Sequence, residues 1–152
     1  MVTKKDEYSF SASAEWTKAR LGIIKQKGAL PETIDFSAPP EFHGEENKWT
    51  PETLLLASVA ACFISTFDAI AEYSGFVFDS LSIAVEGTVA RVNGKLQFTE
   101  IRIKPILEIK HETNFERALK LLEKTKQSCL ISRSLSAEVI LLSDVRTATA
   151  VS

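Results

Sequence analysis

The stretch Pro51-Glu52-Thr53-Leu54-Leu55-Leu56-Ala57-Ser58-Val59-Ala60-Ala61-Cys62-Phe63 decides the fold. Thr50 offers a capping hydroxyl, Pro51 suits the first helical position because its missing N–H is unpaired there anyway, and Glu52 sets an acid against the positive end of the helix dipole. The apolar run continues through Ile64 and Phe67 to about Tyr73, and Gly75 supplies a stop. The spacing predicts a helix over 51–73. Its middle is apolar on every face (Leu54, Leu55, Val59, Ala60, Cys62, Phe63, Ile64, Phe67), which predicts a buried central helix. Ser58, Ser65, Thr66 and Asp68 interrupt the apolar stretch and argue against a membrane span.

Strand patterns lie on both sides of this helix. Before it, 8–16 alternates as a half-buried strand does, and 21–25 and 33–36 are short strand candidates. Residues 37–49 carry prolines and charges without periodicity and read as a loop. After the helix, 81–86 and 98–103 alternate, and Asn93-Gly94 between them is a tight-turn signal, so they form a hairpin. Pro105 cannot donate to a ladder, which predicts an edge position or a bulge before the strand resumes at 107–109. Phe115, Ala118, Leu119 and Leu122 then recur at helical spacing behind Thr113 or Asn114 as cap, giving a second helix to about Lys126. Residues 137–142 read as a last strand.

Composition narrows the function. At 152 residues and 45% apolar, the chain is long enough for one domain with a sizeable core. We expect a single domain over 1–152, with 1–7 and 146–152 as flexible ends. A net charge of −2 provides neither a basic stripe for phosphate backbones nor a polybasic patch for lipid, so nucleic acid and membrane are not expected partners. No continuous apolar segment follows Met1 to Glu7, so no signal peptide is expected and the chain reads as cytoplasmic, where a lasting structural disulfide is unusual.

The two cysteines, Cys62 and Cys129, are the residues whose settings suggest chemistry. Their spacing suits neither a metal knuckle nor a disulfide scaffold. Adding His43 and His111 would give a Cys2His2 count, but no pair has ligand spacing, so no metal is expected. Taken singly, Cys62 also suits a small hydrophobe in a helix interface, and Glu52 a first-turn acid.

Pro51-Glu52 ten residues ahead of Ala61-Cys62-Phe63, with a second cysteine in Cys129-Leu130-Ile131-Ser132, resembles the OsmC/Ohr family of thiol-dependent peroxidases over about residues 10–145. The resemblance implies an α+β fold, with antiparallel sheets around a buried central helix, assembled as an intertwined homodimer. It implies reduction of small organic hydroperoxides by Cys62, with Cys129 as the resolving thiol and no cofactor. A dithiol of lipoyl or thioredoxin type would return the electrons. An early arginine and the glutamate of the Pro-Glu motif would assist the thiol. Glu52 matches that motif directly, and Arg20, in Lys18-Ala19-Arg20-Leu21-Gly22, is the arginine available before the helix. The chain departs from the family pattern in having Leu130 where proline often follows the second cysteine, and in a less glycine-rich turn around Arg20. The rival expectation is a ligand-binding or stress-associated dimer of the same fold without efficient turnover.

Chemistry gives these residue types a reason. A thiolate attacks a peroxide O–O bond to form a sulfenic acid, and a neighbouring cation lowers a thiol pKa. Arg20 is the expected cation, and Glu52 would hold its guanidinium. Ten residues of helix at 1.5 Å rise place Glu52 about 15 Å from Cys62 along the axis. Two-fold packing of the apolar helix against its copy would bring Glu52 of one chain towards Cys62 of the other, and would also cover the helix.

Overall fold

The computed structural model describes residues 6–26 and 32–148, which fall into two compact units, 1–54 and 55–152. Most of both expected flexible ends lies outside the described residues.

In the first unit, β1 (Ala12–Lys18), β2 (Leu21–Gln26) and β3 (Thr33–Ser37) form an antiparallel meander in the order β1-β2-β3. Its middle strand is covered only locally. A Cβ at Gly22 would lie 2.6 Å from the Phe36 ring, so this position stays a glycine because an aromatic ring rests on it. The loop after β3 is ordered by Ser37: its amide donates to the Trp49 carbonyl at 2.9 Å and its hydroxyl accepts from the Glu45 amide at 2.9 Å.

Helix α1 (Pro51–Tyr73) has the bounds the sequence predicts. Thr50 and Thr53 cap each other: the Thr53 amide donates to the Thr50 hydroxyl at 3.1 Å, and the Thr50 amide donates to the Thr53 hydroxyl at 2.9 Å. Two orphan donors of the first turn are thereby satisfied. At the other end, Gly75 takes φ +62°, the Phe76 amide bonds the Ala71 carbonyl at 2.8 Å and the Gly75 amide bonds the Glu72 carbonyl at 3.2 Å, a Schellman closure. Arg117 donates to the Ser74 carbonyl, its guanidinium 5.3 Å above the centre of the Phe76 ring.

In the second unit, β4 (Ser80–Val92) and β5 (Lys95–Ile109) form the expected hairpin, with Asn93 at φ 51° and Gly94 at φ 80° as its two-residue turn. Helix α2 (Phe115–Ser128) and the single turn α3 (Leu130–Arg133) follow, and then β6 (Glu138–Leu141) and β7 (Asp144–Thr147) run parallel to β5. Fully buried Ile101, Ile103, Leu107, Ile109, Ala118 and Leu122 pack with Val59, Phe63, Phe67 and Ala71 of α1. The fold is α+β, with a central helix and antiparallel and mixed sheets.

One expectation is corrected. Pro105 is neither at an edge nor at a bulge: β5 runs through it as a central strand, and the bulge lies instead at Thr88/Val89. The physical reason is a gap. The Leu142 amide bonds the Ile103 carbonyl, so alternate residues of β5, Pro105 among them, turn their backbone groups to that side. There β6 ends opposite Ile103 and β7 begins opposite Ile106, and the missing N–H of Pro105 costs no ladder bond. Helix α1 is the expected central helix, apolar all round and, within one chain, buried along one stripe. Val59, Phe63, Phe67 and Ala71, four residues apart, are buried, whereas Ile64 is 41% exposed. By length and composition alone α1 would also suit a membrane span; its buried stripe shows it packing as a core helix. Strand β7 includes Arg146 and Thr147, two residues that the pattern assigned to the tail.

Candidate redox site

Cys62 sits mid-helix, one position before the buried stripe residue Phe63, and is partly exposed. Cys129 is fully buried at the junction of two helices: its amide closes α2 by donating to the Thr125 carbonyl at 2.8 Å, and its carbonyl accepts from the Arg133 amide at 3.1 Å to open α3. The first amides of α3 have no partner within that helix and are free to point at an anion. Both cysteines are free thiols, and despite their separation in sequence each influences the ionisation of the other.

The surroundings set the two sulfurs apart. Burial pushes the Cys62 thiol up, but the Ile131 amide, the Cys129 thiol, the Thr66 hydroxyl and the Leu130 amide together outweigh it and hold the pKa below the ordinary thiol value. Burial also pushes the Cys129 thiol up; Ser132 offsets part of this, the Cys62 sulfur adds to it, and the pKa ends above the ordinary value. Within the pair, then, Cys62 is the thiol that loses its proton more readily and Cys129 the one that holds it. The groups lowering Cys62 are all uncharged, and neither Arg20 nor Glu52 is among them.

The other two expected site residues lie in the first unit. Arg20 is exposed in the β1–β2 turn, where its carbonyl accepts from the Ala38 amide at 3.1 Å. Glu52 is in the first turn of α1, and its Oε2 is buried without a hydrogen-bond partner. Neither makes an ion pair among the described residues, so the chain does not bring Arg20 and Glu52 together. Three contributors were not singled out from sequence. Two are the backbone amides of Leu130 and Ile131, which no residue type advertises. The third is Thr66, whose signal is its place one helical turn from Cys62. Among the described residues no cluster of three or more His, Cys, Asp or Glu side chains suits a metal ion.

Comparison with known proteins places this chain in a family. The profile of the family described as OsmC-like protein matches residues 44–142, which include both cysteines and Glu52. The uncharacterised protein YmaD of Bacillus subtilis (strain 168) is 31% identical over 138 residues, covering 88% of this chain and 90% of that protein. Among solved structures, an OsmC-like protein of unknown function from Vibrio cholerae superposes with a TM-score of 0.79 at 19% identity, covering 90% of this chain and 99% of that one. An organic hydroperoxide resistance protein from Elizabethkingia anophelis superposes with a TM-score of 0.74 at 22% identity, covering 94% and 99%. These two support the fold, and the family match together with the similarity to YmaD supports descent: the chain belongs to the OsmC/Ohr family.

Proposed function

We propose that this chain is a thiol-dependent peroxidase that reduces organic hydroperoxides in the cytoplasm. One observation carries the reading: two free thiols in one unit act on each other's ionisation, the more accessible one biased towards thiolate and the buried one towards thiol. Family membership supports the same chemistry.

The steps follow from those protonation states. The Cys62 thiolate attacks the distal oxygen of the hydroperoxide, an S–O bond forms as O–O breaks, and the leaving alkoxide takes a proton to depart as the alcohol. Sulfur is oxidised by two electrons to a sulfenic acid. Cys129 then attacks the Cys62 sulfur: an S–S bond forms, and the hydroxyl leaves as water with the Cys129 thiol proton. The disulfide needs two electrons and two protons to reset, which a dithiol reductant of lipoyl or thioredoxin type supplies by exchange. Because Cys129 attacks only after Cys62 is oxidised, its raised pKa protects it from reacting first.

We further propose a homodimer with sites drawn from both chains. The apolar surface that α1 leaves open and the poorly covered meander both call for a second copy. The buried, unpartnered Glu52 Oε2 calls for a donor, and a guanidinium such as that of Arg20 would meet the need at the assembled site. Substitution of each cysteine tests the mechanism. Cys62→Ser should abolish consumption of cumene hydroperoxide, whereas Cys129→Ser should permit one turnover and leave a sulfenic acid that a dimedone probe traps. Full activity in Cys62→Ser would overturn the assignment.

A further inference from the structure

The hydroxyl of Thr66 lies 3.8 Å from Cys62 Sγ, one turn further along α1. Other helix hydroxyls behave differently. Ser58 donates to the Leu55 carbonyl at 2.6 Å, Ser65 to Ala61 at 3.0 Å and Thr125 to Leu121 at 2.7 Å. Bonding back to the preceding turn is the usual habit of Ser and Thr within helices. Among the described residues, the partner of Thr66 Oγ1 is the Cys62 sulfur instead. Its branched Cβ limits χ1 to two main rotamers in a helix, and the one adopted here turns the hydroxyl to the sulfur.

We propose that Thr66 is a further residue of the redox site, its hydroxyl donating a hydrogen bond to the Cys62 thiolate. The proposal rests on the reading of Cys62 as the attacking thiol. A protonated Cys62 offers a weak donor and a weak acceptor, whereas its thiolate only accepts; a hydroxyl at this place therefore favours the charged form. The titratable group facing Cys62 from the α2–α3 junction is Cys129, and the remaining donors there, the Leu130 and Ile131 amides, do not titrate. Thr66 is thus the side-chain donor that can be removed without touching either cysteine or the backbone of α3.

Thr66→Val and Thr66→Ser in a Cys129→Ser background provide the test, with the Cys62 thiolate titrated by its ultraviolet absorbance and by the pH dependence of iodoacetamide alkylation. Removing the hydroxyl in Thr66→Val should move the midpoint up by about one pH unit, the size expected for losing one hydrogen bond to a charged group. Thr66→Ser keeps the donor and should titrate near the parent. Thr66→Ala serves as the second hydroxyl-free variant if valine perturbs α1, and should shift in the same direction. A Thr66→Val or Thr66→Ala protein that folds by circular dichroism and titrates with the parent would overturn the proposal, as would a Thr66→Ser shift as large as that of Thr66→Val. The titration uses no peroxide, so failure of the peroxidase reading would show in hydroperoxide consumption and leave this readout untouched.

Discussion

Strands β2 and β5 are both flanked by hydrogen-bonded neighbours, yet they differ in what their side chains meet. In β5 every second residue from Ile101 to Ile109 is buried, while in β2 Gly22 alone is. The units differ in the same way. Residues 55–152 enclose a core built on Phe63 and Phe67, the latter meeting Phe78 edge-on at 5.2 Å between ring centres. Within 1–54, Phe10 is 91% and Trp16 75% exposed. A three-stranded sheet gains independent stability only by burying an apolar face. The second unit meets this condition with its own residues, and the first does not; the proposed second copy of the chain would supply the missing cover.

Phe63 offers the largest effect with which to break that contrast. Its side chain is fully buried, so Phe63→Ala should cost about 3–5 kcal/mol in chemical denaturation, through lost burial and the cavity left behind. A cost near zero would mean that the second unit does not hold the core described. Trp16 tests the other side with a smaller effect. As an exposed side chain, Trp16→Ser should change the stability of a single chain by no more than about 0.5 kcal/mol. If the meander is an interface, the same change should weaken the dimer by about 2 kcal/mol, roughly 30-fold, in sedimentation equilibrium. Unchanged association would remove β1 from the interface.

Legibility in the sequence follows the range of the interactions. The ends of α1 were readable because Thr50-Pro51 and Gly75 act within a turn of the residues they cap, and the β4–β5 turn because Asn93-Gly94 carries its own geometry. Pro105 misled because the rule against proline inside a sheet assumes an unbroken neighbour, and the break between β6 and β7 is a tertiary feature. The one-sided burial of α1 could not be read from a segment apolar on all faces, since such a pattern does not say which stripe the chain itself covers. At the site, the influence of Cys129 on Cys62 was not legible from spacing; family resemblance suggested the pair, and the α2–α3 junction acts on Cys62 through groups remote from it in sequence. The donors at Leu130 and Ile131 are main-chain groups, so no side chain announces them.

Counting thiols during peroxide titration tests the central claim most directly. Fully reduced protein, given one equivalent of cumene hydroperoxide per chain, should lose both thiols, release one equivalent of cumyl alcohol, and yield a peptide map with Cys62 joined to Cys129 of the same chain. Two thiols still free, with the hydroperoxide unconsumed, would contradict the peroxidase account and leave a ligand-binding dimer of the same fold as the better reading.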